Sequence, residues 1–361
     1  MEYYLVITKN CNLRCSYCFR KKVHQQISYD RAQPQPAASV VDFIRADLER
    51  YPSSGSSLVF SGGEPLLNQA YMQKILNGLE DYPLDRVLIT NGTLLHTLER
   101  DLLYQLDYIL VSIDGDQTQH DRLRGGGTYR RILDNLAQIR RAFPGKTIAR
   151  LTLSPHADIE KSVLDIIDAF DAVHWQLVNQ RENGNSQQFL DCYEEGLDRL
   201  RAYWLAHLKS GVVKRIIPFQ AVASSLCLGI HYETLRCGSS GDELYIIDLD
   251  GQIYTCDELV GDPRFRVGDI QQGVPRQVRF PSYSLNETCR GCQIRQVCGG
   301  RCLHTSLLYP PDRFQFYCQA TRLLVSKVEE ILPWIRALLD SGRIKPSELN
   351  DPAIYQTEAI P

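Results

Sequence analysis

The chain has 361 residues, 43% of them apolar, and a formal net charge of −3, with a sequence pI near 6.3. That length can bury a sizeable core and favours one large domain plus a smaller one, while 40 Lys+Arg against 43 Asp+Glu give no bulk attraction to nucleic acid or to a membrane surface. The start, MEYYLVITKN, is not a secretory signal, and no run approaches the roughly 20 apolar residues of a membrane span, so a cytoplasmic protein is expected.

The first half alternates short β-rich runs with helical stretches. Strands are predicted at 3–8 (YYLVIT), 57–61 (SLVFS), 86–90 (RVLIT), 108–113 (YILVSI), 147–153 (TIARLTL) and 173–178 (VHWQLV). Several are near-continuous apolar runs, as in parallel strands buried on both faces. Helices are predicted between them at 39–51, 69–79, 94–106, 129–143 and 159–170; the first places Val41, Ile44, Leu48 and Tyr51 on one face. Repeated βα units imply an α/β fold with a parallel sheet and right-handed crossovers. Six of them suit a partial (β/α)6 TIM-like barrel. A further helix is predicted at 188–209. From about 237 the regular alternation gives way to glycine, cysteine and short strand-like pieces. LYIIDLDGQIYTC sets Asp-Gly between two β-rich runs, a hairpin signal. A helix is expected at 320–339, then a polar, poorly ordered tail from Ser341. The expected organisation is a barrel over 1–215, a bridge over 216–236, a cysteine-rich domain over 237–325, and a helix and tail over 326–361.

Twelve cysteines stand out. In a chain of this size without a secretory signal they point to metal rather than to disulfides. Cys11-Asn-Leu-Arg-Cys15-Ser-Tyr-Cys18 directly follows the first strand, where a βα barrel carries its chemistry. Three thiolates on one loop can bind three corners of a four-iron cluster and leave the fourth iron open. Known cluster sites normally use four cysteines, so a group of three is informative. The alternatives are a zinc site, with His24 as a fourth ligand, or three buried thiols.

CNLRCSYC resembles the signature of the radical S-adenosylmethionine (SAM) superfamily, including the aromatic Tyr17. Ser61-Gly62-Gly63-Glu64-Pro65 follows the second strand and is similar to that family's GGEP motif. By this resemblance its backbone and acidic residue receive the methionine ammonium of the cofactor; glycine allows close backbone approach and a carboxylate pairs with an ammonium. Thr90-Asn91-Gly92 and Ser112-Ile-Asp114-Gly115 resemble family positions at the barrel mouth. The resemblance makes Asn91, Ser112 and Asp114 candidate cofactor contacts, and Arg124 a candidate partner of the cofactor carboxylate. Ordinary turn chemistry is the competing reading for each.

Cys237, Cys256, Cys289-x2-Cys292-x5-Cys298-x3-Cys302 and Cys318 resemble in order and spacing the SPASM domain found on peptide- and protein-modifying radical enzymes. The resemblance implies two auxiliary [4Fe-4S] clusters, three with the SAM-binding one. Cys289, Cys292, Cys298 and Cys318 would bind the second auxiliary cluster, and Cys237, Cys256 and Cys302 the first. Where some relatives carry an extra cysteine this chain has Glu243, so the fourth position of the first auxiliary cluster is open, or is filled by a carboxylate or by Cys227. Cys192 and Cys227 read as small buried hydrophobes. Zinc is the rival here also, Cys289–Cys302 being able to form a four-thiolate knuckle.

The family likeness implies reductive cleavage of SAM to a 5′-deoxyadenosyl radical. The expected function, by analogy with SPASM-bearing relatives, is modification of a ribosomally synthesised precursor peptide: a thioether or carbon–carbon side-chain crosslink, or excision of a backbone fragment. Partners implied are the precursor peptide and an external electron donor of flavodoxin or ferredoxin type. With the cluster loop starting at residue 11, a separate small leader-recognition protein or leader binding by the barrel is expected. The alternatives are an anaerobic sulfatase maturase forming formylglycine, with Asp257 or Glu258 as proton acceptor, and a non-catalytic zinc-binding interaction module.

Overall fold

A computed structural model describes the chain except for residues 21–33, 53–54, 155–156, 179–185, 233–234, 240–242, 275–286, 301, 353–359 and 361; His24 lies outside the described residues. The chain divides into two compact units. The first comprises Met1–Val111, Leu123–Gly145 and Gly238–Ser284, the second Ser112–Arg122, Lys146–Cys237 and Leu285–Pro361.

The first unit is built on parallel strands β1 (Glu2–Val6), β2 (Ser56–Ser61), β3 (Leu84–Thr90) and β4 (Tyr108–Ser112). Tyr3 pairs with Leu58 and Leu5 with Phe60, and β2–β3 and β3–β4 continue in parallel. Every residue of β2 is buried, the two-sided burial that its apolar run implies. Helix α1 (Ala37–Arg50) packs Val40, Val41, Phe43 and Ile44 inward, and Asp47 accepts a 2.6 Å hydrogen bond from the Tyr3 hydroxyl. Helix α2 (Gln69–Gly78) follows β2 and buries Met72, Ile75 and Leu76. Strand β7 (Leu244–Ile247) pairs in parallel with the free side of β1. The chain then turns at Asp250-Gly251, with Gly251 at φ 82°, into antiparallel β8 (Gln252–Tyr254), which pairs with β9 (Arg266–Asp269). The Asp-Gly hairpin signal is thus met.

The predicted helix at 94–106 is broken. A 3-10 turn (Leu95–Thr97) and a short helix α3 (Arg100–Tyr104) flank extended Leu98. The Gln69 side chain explains the break. It donates to the Thr97 carbonyl at 3.1 Å and accepts from the Glu99 amide at 3.1 Å, diverting two backbone groups from helical pairing.

In the second unit β5 (Lys146–Leu153) and β6 (Ala172–Leu177) pair in parallel. Helices α4 (Gln117–Arg124) and α5 (Thr128–Ile139) precede β5, the junction between the units falling inside α4. Helix α6 (Ile159–Leu164) is shorter than the predicted 159–170; beyond it the chain continues as turns with mixed i→i+3 and i→i+4 bonds. Fully buried Trp175 donates to the Tyr193 hydroxyl on α7 (Ser186–Lys209) and packs edge-on against Phe219 of α8 (Ile217–Leu228).

The helix expected at 320–339 is two helices, α12 (Pro311–Glu329) and α13 (Leu332–Asp340), after short α9 (Glu287–Arg290), α10 (Arg295–Cys298) and α11 (Leu303–Leu308). Pro333 cannot donate a helical hydrogen bond and clashes with the preceding turn, so one continuous helix is barred. The described residues at 341–352 are also better ordered than their composition implies. Helix α14 (Pro346–Leu349) buries Leu349; Gln220 and Ser224 of α8 donate to the Glu348 and Leu349 carbonyls, and buried Asp351 pairs with Lys146 and Arg215. Among the described residues no helix is long and apolar enough to cross a membrane.

Candidate functional site

The cysteine loop leaves the C-terminal end of β1 and is laced to the loop after β2. Parallel pairing runs on past the strands: the Ile7 amide donates to Ser61, the Gly63 amide to Thr8 at 2.7 Å, and the Glu64 amide to Asn10 at 2.8 Å. This approach needs glycine. A Cβ on Gly62, which sits at φ +132°, would stand 2.2 Å from the Thr8 carbonyl oxygen, and one on Gly63 would stand 2.1 Å from that of Asn10.

Glu64 is wholly buried. Its carboxylate accepts from the Thr90 hydroxyl at 2.7 Å, the Asn91 amide at 2.8 Å and the Leu66 amide at 3.2 Å. Burial pushes its pKa above the ordinary value, opposed by these hydrogen bonds. The bond from the Asn91 backbone amide ties Glu64 to the turn after β3. The Asn91 side-chain Nδ2 donates to Asn12 Oδ1 at 2.8 Å and approaches the Cys11 sulfur at 3.8 Å, while its Oδ1 accepts from the Thr93 hydroxyl. Asn135 reaches back to the Gly92 and Thr93 carbonyls and fixes that turn. Cys11 is exposed, and Cys15 and Cys18 are half-buried. The Tyr17 ring lies 5.4 Å from the buried Arg124 guanidinium, a cation–π arrangement.

Sequence reasoning missed Arg20, two residues beyond Cys18. Its Nη2 reaches both oxygens of Asp257, at 2.6 and 2.9 Å, and the Ser61 hydroxyl at 3.2 Å; Ser61 in turn donates to the Tyr4 hydroxyl. A basic residue beside the motif was the visible signal, but its partner lies 237 positions away. Glu258, like Asp257, is half-buried.

Ser112 and Asp114 belong to the second unit. Ser112 is half-buried. Asp114 is fully buried; its carboxylate accepts from the Thr152 amide at 3.0 Å, and its own amide donates to His120 Nδ1.

In the same unit Cys289, Cys292, Cys298 and Cys318 line one cavity, together with Arg295 and Arg322. Helices α9 and α10 carry Cys289 and Cys298, and α12 carries Cys318. Burial pushes the Cys289 thiol pKa up, Cys298 and Cys292 add to the rise, and Arg295 and Arg322 oppose it. Among the described residues no His, Cys, Asp or Glu group is gathered in the way that a single metal ion requires.

Cys256 is buried in the first unit, and Cys237 and Cys302 are half-buried in the second. Glu243 is exposed. Cys192 is exposed on α7 and Cys227 is half-buried on α8, so neither is the fully buried hydrophobe expected. The 24-residue α7 turns the Cys192 position to solvent, and Cys227 sits in the last turn of α8, before its Gly229 cap.

Residues 5–166 match the radical SAM superfamily. The chain carries a radical SAM domain. A serine-type anaerobic sulfatase-maturating enzyme of Klebsiella aerogenes is 25% identical over 323 residues, covering 81% of this chain and 76% of that one. The radical SAM cyclopropyl synthase TigE of Paramaledivibacter caminithermalis is 22% identical over 343 residues, covering 83% and 67%. Among solved structures, anSMEcpe with bound AdoMet and Cp18Cys peptide superposes with a TM-score of 0.74 at 19% identity, covering 93% of this chain and 98% of that one. Streptococcus suis SuiB bound to precursor peptide SuiA gives 0.58 at 14% identity, covering 86% and 73%. Residues 5–166 thus form a radical SAM domain, in a chain with an α/β fold, a parallel-sheet core and a cysteine-rich C-terminal region.

The radical SAM family implies a [4Fe-4S] cluster and SAM, and the first unit fits them. Thiolate sulfur is the donor such clusters take. The glycines after β2 let that loop lie against the backbone that leads to Cys11, and the Asn91 side chain places an N–H donor toward the Cys11 sulfur.

Proposed function

We propose that this radical SAM enzyme modifies a peptide, with a ribosomally synthesised precursor as substrate and a side-chain crosslink or backbone excision as outcome. When bound, the cluster and SAM supply a carbon-centred radical that abstracts hydrogen. The chain's own residues bind and orient. Cys11, Cys15 and Cys18 hold the cluster, Gly62 and Gly63 admit SAM to close backbone contact, and Glu64 keeps Asn91 facing Cys11. Tyr17, Ser112, Asp114 and Arg124 complete the proposed cofactor contacts. Cys289, Cys292, Cys298 and Cys318 hold one auxiliary cluster and Cys237, Cys256 and Cys302 another, giving three. A small leader-recognition protein and a flavodoxin or ferredoxin are the proposed partners.

The Arg20–Asp257 pair carries the choice of outcome. Both Asp257 oxygens already engage Arg20, at 2.6 and 2.9 Å, and the Arg20 side chain is only 14% exposed. This occupation favours a holding role for Asp257 over that of a free acceptor. The second reading, sulfatase maturation, is favoured by the K. aerogenes relative. Anaerobic incubation with sulfatase-motif peptides and with candidate precursor peptides, read by mass spectrometry, separates the two. Precursor mass changes that need SAM support the proposal, and formylglycine on the sulfatase peptides would replace it. Cys15→Ala should abolish deoxyadenosine formation while most iron remains, out of about twelve irons per chain if all three clusters are of the four-iron type.

A further inference from the structure

The four-cysteine cavity has a cationic wall. Two arginines enter the cavity wall itself, Arg295 from α10 and Arg322 from α12. Arg322 donates from Nη2 to the Cys292 sulfur at 3.5 Å. A guanidinium cannot lose its proton at working pH, so these charges are permanent. Cys289 is only 6% exposed and Arg295 is half-buried, while Arg322 reaches the Cys292 sulfur from an exposed position, so of the two charges that of Arg295 is the less screened by water.

Four thiolates give any cluster in this cavity a net negative charge, and reduction by one electron adds to it. Nearby cations and hydrogen bonds to the sulfurs favour the more negative state, and both set the potentials of such clusters. We propose that Arg322, with Arg295, raises the reduction potential of a four-iron cluster held by Cys289, Cys292, Cys298 and Cys318, and so makes it an electron acceptor. This rests on the auxiliary-cluster assignment proposed above. The two arginines act through the cluster and its thiolates and are positioning residues.

The test is an anaerobic redox titration of the reconstituted full chain, with dithionite as reductant and electron paramagnetic resonance as readout. A background with Cys11, Cys15 and Cys18 all changed to Ala removes the SAM-cluster signal. In it, Arg322→Gln should move one auxiliary midpoint to lower potential at unchanged iron content, and Arg322→Lys should restore most of the difference. Unchanged midpoints in both Arg322→Gln and Arg295→Gln would overturn the proposal. Loss of iron in Arg322→Gln would also overturn it, by assigning that residue a structural role. Cys298→Ala is measured alongside. If it leaves the iron content unchanged, the cluster assignment itself fails, a result separable from the behaviour of the arginines.

Discussion

His174, on β6, is fully buried, and neither ring nitrogen has a hydrogen-bond partner among the described residues. Its register neighbour on β5 is Arg150. Burial first, and the Arg150 charge second, push its pKa well below the ordinary 6.5. The folded protein therefore holds it neutral while the unfolded chain protonates near pH 6.5. Between those two pKa values the unfolded state binds more protons, so stability falls as pH drops, by up to about 1.4 kcal/mol per pH unit. Urea unfolding of the metal-free protein at a series of pH values should show this slope below about pH 6.5. His174→Leu should flatten it, and because it removes two unsatisfied polar atoms from the interior it should cost little at neutral pH. Equal slopes in the two proteins would mean that His174 finds a proton-stabilising partner in the fold.

The lacing of the first two βα loops makes a prediction at the level of elements. The Gly63 and Glu64 amides extend the β1–β2 pairing into the residues that lead to Cys11. A methyl group on Gly63 must displace the Asn10 carbonyl, a backbone atom that cannot swing aside as a side chain would. Gly63→Ala should cost about 1–3 kcal/mol of stability as an overpacked contact. It should also weaken SAM binding at least about tenfold, the equivalent of 1.4 kcal/mol, in equilibrium dialysis of the reconstituted enzyme. Wild-type affinity would show that SAM does not approach that backbone. These strands were legible in the sequence because burial on both faces leaves an unbroken apolar run such as SLVFS. The helix break at Leu98 was not, because its cause, Gln69, is distant in sequence and touches backbone. The pairing of β7 with β1 and the ion pair of Arg20 with Asp257 were hidden for the same reason: each joins segments more than 200 residues apart, and no local pattern encodes such a partner. The cysteines were legible because ligand spacing is a local property. The arginines beside Cys292 were overlooked because an arginine on an exposed helix reads as an ordinary solvated charge.

At the scale of the whole molecule, two kinds of stabilisation divide the chain. The strands of the first unit are held by apolar burial, with Tyr3, Leu58, Phe60, Leu88 and Ile109 essentially inaccessible to solvent. The segment around Cys289–Cys302 has only short helices of four to six residues, α9, α10 and α11. Its buried apolar side chains between Cys289 and Cys302 are few, Val297 chief among them. Isolated helices that short are unstable in water, so their order must come from packing or from ligation. If ligation supplies it, the binding free energy of the cluster is in effect folding free energy for this segment. Stripping iron from the anaerobic holoenzyme with a chelator should then raise amide hydrogen exchange across 288–302 while β2 and β3 keep their protection. Unchanged exchange across 288–302 would mean that packing against α8 and α12 is sufficient, and uniform loss of protection through β2 and β3 would mean that the two units unfold as one.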